Sequence, residues 1–509
     1  PYFGTYGAIA QLMGIPNNIR LNDLKQYSTD GNAHVNWTGP TAGIRNPYYV
    51  LNQRHNSDER WRAFGYYGMK INFTDWLHLS AKYAFDYYRI RIEETNAGDG
   101  INGESSIKDI TDDEMNREEQ NFFESNAEIV LMGDKQLTDN FRLGFTVGGN
   151  FMYQNYESLN AGVRNMLDKG QWIFNAANML NTAGETGHER ATNSVFGSLQ
   201  LSWKEYLSLD LTARNDWSST LANTKSEGSG FFYPSVGVSW ILNQTLNLPS
   251  WISFGKVRAS WAQVGNDLPI GITSPAQTIT AGGVVNPIDY YFAEDLKPEI
   301  STSIEFGTEW RFFNSRLDFD FTFYRTDTKN QLIRVNTTAE KRRFRWINAG
   351  KIRNTGIEVT VGATPLMNDN FRWKTQFNFA TNKNEIVSLG GTPSFQYASG
   401  NVSMPYKMMV VEGGSLGDIY GNVFVRDESG KILLEPATDK DGNENKKAGL
   451  PQVTTDKAAK IGNFNPDWTL GWSNTLTYKG FSLYFLIDTR MGGDVISLTQ
   501  AGLDYAGVS

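Results

Sequence analysis

From residue 316 the chain reads RLDFDFTFYRT, with Leu317, Phe319, Phe321 and Phe323 at one parity and Arg316, Asp318, Asp320 and Thr322 at the other. Side chains alternate between the faces of a strand, so this segment predicts a ribbon with one apolar and one charged side. The same period recurs in about fourteen segments, which pair across short turns. The pairs are ERWRAFGYYGMKINF with WLHLSAKYAFDYY, FESNAEIVLM with FRLGFTVGGNFM, SVFGSLQLSW with LSLDLTARN, FYPSVGVSWIL with GKVRASWAQ, STSIEFGTEWRFF with RLDFDFTFYRT, TGIEVTVGATP with FRWKTQFNFAT, and DWTLGWSNTLTY with FSLYFLIDT.

Long polar connections separate these hairpins: residues 89–121, 153–192, 217–231, 264–300, 327–353 and 383–466. Compact soluble folds join their elements by about 4 to 6 residues, so this many long connections is unusual for them. Short and long alternate strictly. In an up-and-down meander that order gathers every short turn at one rim and every long loop at the other, the asymmetry of outer-membrane barrels with short periplasmic turns and long outer loops. The expectation is therefore an all-β, transmembrane antiparallel β-barrel, with strands of roughly 9 to 12 residues against the 9 to 11 that cross a bilayer. Ring-bearing residues near the turns, including Phe73, Trp76, Phe141, Tyr206, Phe312, Phe371, Trp373, Tyr478 and Phe481, suit an interfacial girdle. In a barrel too wide for side chains to fill, Leu317, Phe319, Phe321 and Phe323 would face lipid, and Arg316, Asp318 and Asp320 a wet lumen.

Composition adjusts this picture little. Across 509 residues the chain carries 14 Trp, 23 Tyr, 30 Phe and 49 Gly, a balance suited to many strands and flexible loops. A net charge of −8 argues against nucleic acid as a partner, and the absence of cysteine removes disulfides and thiolate chemistry. No apolar run of about 18 residues occurs, which excludes a spanning helix but not a barrel. The expected organisation is an extracellular loop segment over 1–58, barrel strands and loops over 59–490, and the start of a further extracellular loop over 491–509. A plug domain is not expected within the chain.

Four stretches carry a resemblance to a known family: LSLDLTARNDWSSTL with FFYPSVGVSWIL (207–242), LKPEISTSIEFGTEWRFFNSRLDFDFTFYRT (296–326), NAGKIRNTGIEVTV (348–361) and IGNFNPDWTLGWSNTLTYKGFSLYFLID (461–488). They resemble the SusC/RagA-type TonB-dependent transporters of the Bacteroidetes outer membrane. The resemblance implies a 22-stranded barrel closed by a plug, driven through a TonB box, and capped outside by a SusD-like lipoprotein lid. It also implies import of oligosaccharides or oligopeptides, and a barrel fragment here. The TonB complex would act through an N-terminal part that the resemblance places ahead of these strands, and outer-membrane lipids would surround the barrel.

No enzymatic chemistry emerges from the residues. His34, His55, His78 and His188 are scattered and lack metal-ligand spacing, and no phosphate-binding glycine motif occurs. No cofactor or metal is expected. Asp439, Asp441, Asn443 and Glu444 in the 437–447 segment could gather around calcium, but the ligand register is incomplete and a solvated loop tip fits as well. Paired carboxylates such as Glu294 with Asp295, or Asp318 with Asp320, do not by themselves span a cleft as glycosidic hydrolysis requires. The basic run EKRRFRW (340–346) could meet a partner lipoprotein, an anionic substrate or lipid phosphates. Aromatic rings grip sugars and peptides by stacking, which makes Trp37, Tyr48, Tyr49, Trp172, Tyr290, Tyr291, Trp346 and Tyr406 the candidate substrate contacts. A secreted β-rich glycan-binding or hydrolytic protein and a passive porin-like channel stay open as alternatives.

Overall fold

A computed structural model describes residues 12, 15, 19–25, 46–97, 113–167, 170–273, 278–279, 285–286, 290–292, 294–336, 344–391, 394–399, 406–438, 443–454, 459–497, 499–500 and 503–504. Fourteen long strands follow one another in chain order in a single antiparallel sheet. The first eight are β1 (Arg54–Asn72), β2 (Leu77–Asn96), β3 (Glu114–Thr138), β4 (Phe141–Met166), β5 (Ala177–Trp203), β6 (Leu207–Ser218), β7 (Phe231–Ile241) and β8 (Ile252–Asn266). The remaining six are β9 (Glu299–Phe312), β10 (Leu317–Asn336), β11 (Phe344–Met367), β12 (Phe371–Ser388), β13 (Trp468–Tyr478) and β14 (Phe481–Met491). The predicted hairpins all form, and neighbours in sequence are neighbours in the sheet. Among the described residues no helix is long and apolar enough to cross a membrane, which says nothing of strands.

Register converts the alternation of single strands into two continuous faces. One rung runs Leu143, Leu201, Leu209, Val238, Ala259, Phe306, Phe323 and Ile357 from β4 to β11. One residue away, the adjacent rung reads Arg142, Ser202, Ser208, Ser239, Arg258, Gly307, Thr322 and Glu358. Directly opposed residues lie on the same side of a sheet, so the first rung is wholly on one face and the second wholly on the other. A slip of one residue anywhere would mix them. The apolar face is open to its surroundings: Ile129 is 59% exposed, Val147 55% and Phe306 48%.

The short-turn rim is aromatic. Phe73, Phe313, Tyr478 and Phe481 are exposed there, Trp251 stacks on Phe312 at 5.6 Å, and the Lys135 ammonium lies 4.6 Å from the Trp76 ring centroid. A ring beside a cation is the pairing that suits a boundary between hydrocarbon and water.

At the opposite end the structure departs from the sequence expectation. Strands β1 to β5, β10 and β11 span 19 to 27 residues rather than 9 to 12, so much of 89–121, 153–192 and 327–353 is ladder and not loop. Beyond the apolar belt the ladder no longer needs a greasy face, and cross-strand ion pairs replace it: Arg89 with Glu119 at 2.7 Å, Arg117 with Glu93 at 2.7 Å, Arg353 with Asp327 at 2.7 Å. Alternation of hydrophobicity disappears there while backbone pairing continues, which is why period alone missed these extensions.

Among the described residues the buried apolar clusters lie at this far end. Leu221, Phe231, Leu268, Ile272 and Leu296 form one buried cluster, Ile333, Ile352, Ile386, Leu389 and Val410 a second, and Met115, Val163 and Met166 a third. The connection after β12 folds into a small antiparallel sheet of Ser394–Ser399, Tyr406–Val411, Asp418–Gly421 and Ala459–Asn463. From it follows an arm, described over 423–438 and 443–454, held by bridges from Phe424 to Val453 and from Leu434 to Pro451.

Gly230, at the entry to β7, has φ +61°, and a Cβ there would overlap the Asp216 carbonyl oxygen and crowd Trp217. Replacing it with alanine is expected to cost about 1–3 kcal/mol, because left-handed backbone and a fixed neighbour act together. Urea unfolding in lipid vesicles measures this; a midpoint equal to wild type would remove the argument.

Candidate functional site

The polar face of the sheet and the loops over its far end form a surface that combines charge, hydrogen-bonding groups and cavities. Its centre is Arg258 on β8. The guanidinium donates to Asp320 at 3.3 Å and to Thr322 at 2.6 Å, both on β10, and its Nε lies 3.5 Å from Glu305 on β9. To reach β10 it must pass over β9, and the residue beneath it is Gly307, where a Cβ would come within 2.5 Å of the guanidinium carbon. The missing side chain is thus what lets one arginine bind carboxylates on two neighbouring strands. Asp318 and Asp320, together with Glu309, Arg311 and Thr360, line an open depression of about 350 Å³ near the short turns.

Toward the far end, carboxylates pin the connecting loops onto this face. Asp267 accepts from Arg190 at 2.9 and 2.8 Å, from Ser218 at 2.6 Å and from Thr220 at 3.3 Å. Asp216 accepts from Arg214 at 2.7 Å and from the Tyr233 hydroxyl, while Arg214 also donates to Ser194 at 2.8 Å. These bonds hold the turns after β6 and β8 against the buried cluster of Leu221, Leu268 and Leu296. A second, larger cavity of about 610 Å³ opens between the far ends of β1 to β5, lined by Asp58, Ile92, Glu94, Asn116, Glu118 and Asn160 among others. Its size lies within the range of pockets that enclose small ligands. Glu118 is fixed there by Ser158 at 2.8 Å and Gln120 at 2.7 Å.

The aromatic candidates lie at several places beyond the belt. Trp37 falls outside the described residues, as do Asp439 and Asp441 of the 437–447 segment and Lys341 to Arg343 of the basic run. Tyr48 and Tyr49 sit on a short helix, Pro47–Gln53, that leads into β1; Tyr49 is 2% exposed and its hydroxyl donates to the Ala97 carbonyl at 3.3 Å. Trp172 packs against Met115, Val163 and Met166. Tyr290 and Tyr291 belong to a three-residue strand that pairs in parallel with the start of β11, opposite Phe344 and Arg345, and brings Phe292 opposite Trp346. The strand that holds Tyr290 and Tyr291 is thereby joined to the one that holds Trp346, and Trp346 packs against the Leu221 cluster. Tyr406 opens the second strand of the small sheet. Leu317, Phe319, Phe321 and Phe323 share one face of β10 with Asp318 and Asp320 on the other, whereas Arg316 lies in the turn before the strand begins. Single-strand reading missed Arg258, Asp267 and the 610 Å³ cavity, because their partners lie on other strands and only register unites them.

In the small sheet, Asp418 is 1% exposed. Burial opposes its ionisation, yet Lys460 at 2.7 Å, the Ser415 N–H at 3.0 Å and Asn463 at 2.6 Å together hold the carboxyl below its ordinary value. Among the described residues no group of three or more metal-ligating side chains is gathered.

Comparison with known proteins gives a consistent result. The family described as TonB dependent receptor-like, beta-barrel matches residues 13–488. TonB-dependent receptor P3 of Formosa agariphila is 24% identical over 94% of the chain and 49% of its own length. TonB-dependent receptor SusC of Bacteroides thetaiotaomicron is 25% identical over 59% of the chain and 31% of its own length. The solved structure of the RagAB peptide transporter superposes with a TM-score of 0.71 at 18% identity, covering 87% of this chain and 49% of that one. The chain spans about half the length of the first of these relatives.

Asp418 supplies a pH test. A carboxyl whose folded pKa is depressed contributes stability above its unfolded value of about 4, and that contribution is lost as pH falls through the folded value. Hydrogen exchange in 406–421 and 459–463 is expected to accelerate below about pH 4 while the belt strands stay protected. Asp418→Asn should flatten that dependence, and equal acid sensitivity in both proteins would refute the role of this carboxyl.

Proposed function

The chain belongs to the TonB-dependent receptor-like β-barrel family, whose members reside in the bacterial outer membrane, and from that premise we propose that it forms barrel wall in an energised importer of oligosaccharides or oligopeptides. Leu317, Phe319, Phe321 and Phe323 face lipid in this reading, and Asp318 and Asp320 face the lumen. The observation that carries it is the pair of adjacent rungs, one wholly apolar and one almost wholly polar, running through eight strands. In a soluble sandwich the apolar rung would be covered by a second layer, whereas here its residues are widely exposed. The first and last of the fourteen strands are the edges of this sheet and do not pair with each other, so in hydrocarbon the outer backbone groups of both need partners.

The lumen wall works by solvation and not by covalent chemistry. Carboxylates and a guanidinium fixed by one another, as at Arg258 with Glu305 and Asp320, present a hydrated and acidic polar wall in which each charged group is held by a neighbour. Capture belongs to the far end, where the 610 Å³ cavity and the short strand of Tyr290 and Tyr291 beside β11 would meet substrate. A SusD-like lipoprotein would close over the loops, and the arm at 423–454 offers it exposed Phe424, Leu434 and Leu450. Energy would come from the TonB complex through a plug that blocks the lumen until substrate binds. The peptide named for RagAB favours neither substrate class for this chain by itself, because 18% identity carries only the fold.

Two outcomes are expected. Phe321→Arg should destabilise the protein by about 2–4 kcal/mol in vesicles if this position lies near the bilayer midplane, and Asp320→Asn should change stability by less than about 0.5 kcal/mol. Equal tolerance of both would reverse the face assignment. Cells producing the full receptor should lose uptake of its oligomeric substrate when TonB is deleted; undiminished uptake would contradict energised import.

A further inference from the structure

The apolar face ends at Phe323 on β10, at Ile357 on β11 and, one rung earlier, at Phe379 on β12. Phe323 on β10 lies opposite Ile357 on β11, which lies opposite Thr381 on β12; two residues farther out the same face carries Arg325, Thr355 and Lys383. The next positions on this face are Asp327, Arg353 and Glu385, followed by Lys329 opposite Lys351. Asp327 accepts from Arg353 at 2.7 and 3.2 Å and lies 3.4 Å from Arg325 and 3.5 Å from Lys351. One carboxylate thus serves three cations. Lys329 and Lys383 have no carboxylate within ion-pair distance among the described residues, and Glu385 is the second acid against these five bases.

We propose that Arg325, Lys329, Lys351, Arg353 and Lys383 form a binding site for the phosphorylated headgroup of a glycolipid in the outer leaflet. The proposal rests on the face assignment above, since it needs this side of the sheet to meet lipid. Height supports it: two residues along a tilted strand rise about 5 Å, which sets these cations roughly 5–15 Å beyond the hydrocarbon edge, at headgroup depth. Electrostatics supports it as well. Lys329 and Lys351 are direct cross-strand neighbours, an arrangement that repels unless an anion lies between them. Phosphate oxygens fit that place, taking paired N–H donors from arginine forks and point charges from lysines.

The excess is local. On the corresponding part of β1 to β3, Arg89, Arg91 and Arg117 face Glu59, Glu93 and Glu119, so charge there is balanced by the protein itself. On β10 to β12 Asp327 is shared by Arg325, Lys351 and Arg353, and Lys329 and Lys383 have no such pair among the described residues. A substrate in the lumen could not reach these side chains, because they lie on the face opposite Asp320 and Thr322.

The full receptor is tested in phosphatidylethanolamine vesicles doped with lipid A carrying its phosphates or with dephosphorylated lipid A, and retained lipid is counted by native mass spectrometry. Wild type is expected to retain the phosphorylated form at least about tenfold better, and Lys329→Gln with Lys351→Gln and Lys383→Gln to abolish that preference. Should the triple variant fail to fold, Lys329→Gln with Lys383→Gln touches no ion pair and should still reduce the preference severalfold. Equal retention of the two lipids by wild type, or unchanged preference in the variants, overturns the site. Full displacement by inorganic phosphate would overturn the assignment to lipid in favour of a soluble anion. Vesicle flotation separates the premises: protein that does not associate with vesicles at all sinks the face assignment, whereas protein that floats without preference sinks only this site.

Discussion

Backbone pairing is the constraint on which the rest of this architecture depends. Hydrocarbon offers no partner to an N–H or C=O group, so a chain that crosses it as strands must satisfy each group from a neighbouring strand. Sequential antiparallel pairing does so at the least loop cost, and the fourteen strands here follow it without a crossover. Once the ladder is set, side chains have no freedom to choose a face. The apolar rung through Phe323 and the polar rung through Thr322 are consequences of a single register repeated across the sheet.

That same register builds the polar surface. Arg258 reaches Asp320 because Gly307 leaves room, and Glu305 on the same strand as that glycine and Thr322 on the next strand complete its surroundings. Such a network is held by charges that neutralise one another at partial exposure, where each pair is worth little in stability. Its value is positional: it fixes polar groups along the wall. The far end obeys different rules. There loops have enough apolar residues to bury clusters around Leu221 and Ile386, and the carboxylates of Asp267 and Asp418 tie those loops in place.

Charge beyond the belt divides into two kinds. On β2 and β3 bases and acids alternate across strands and cancel, which extends the ladder into water without a net field. On β10 to β12 bases outnumber acids, and two lysines stand directly opposed. The first arrangement is what a ladder in water needs for itself; the second costs stability unless something outside the chain supplies the anion. An outer membrane supplies such anions at that depth.

Much of this was legible in the amino-acid order alone, because period-two alternation is a local property. The hairpins, their chain order and the rim of short turns all follow from Leu317 through Phe323 and their counterparts, and the resemblance at 296–326 and 461–488 agrees with the family that the whole chain matches. Three things waited for the tertiary structure. The strand extensions past residue 89 and past residue 327 were invisible, since charged pairs carry no periodic signal while backbone bonds continue. The sites at Arg258 and Asp267 were invisible, since their partners lie 62 and 77 residues away in the chain. Among the aromatic candidates, sequence could name Tyr290, Tyr291 and Trp346 but could not tell that a parallel strand joins them while Tyr49 is packed away. Alternation determines what each strand must do with its two sides; only pairing decides which side chains meet.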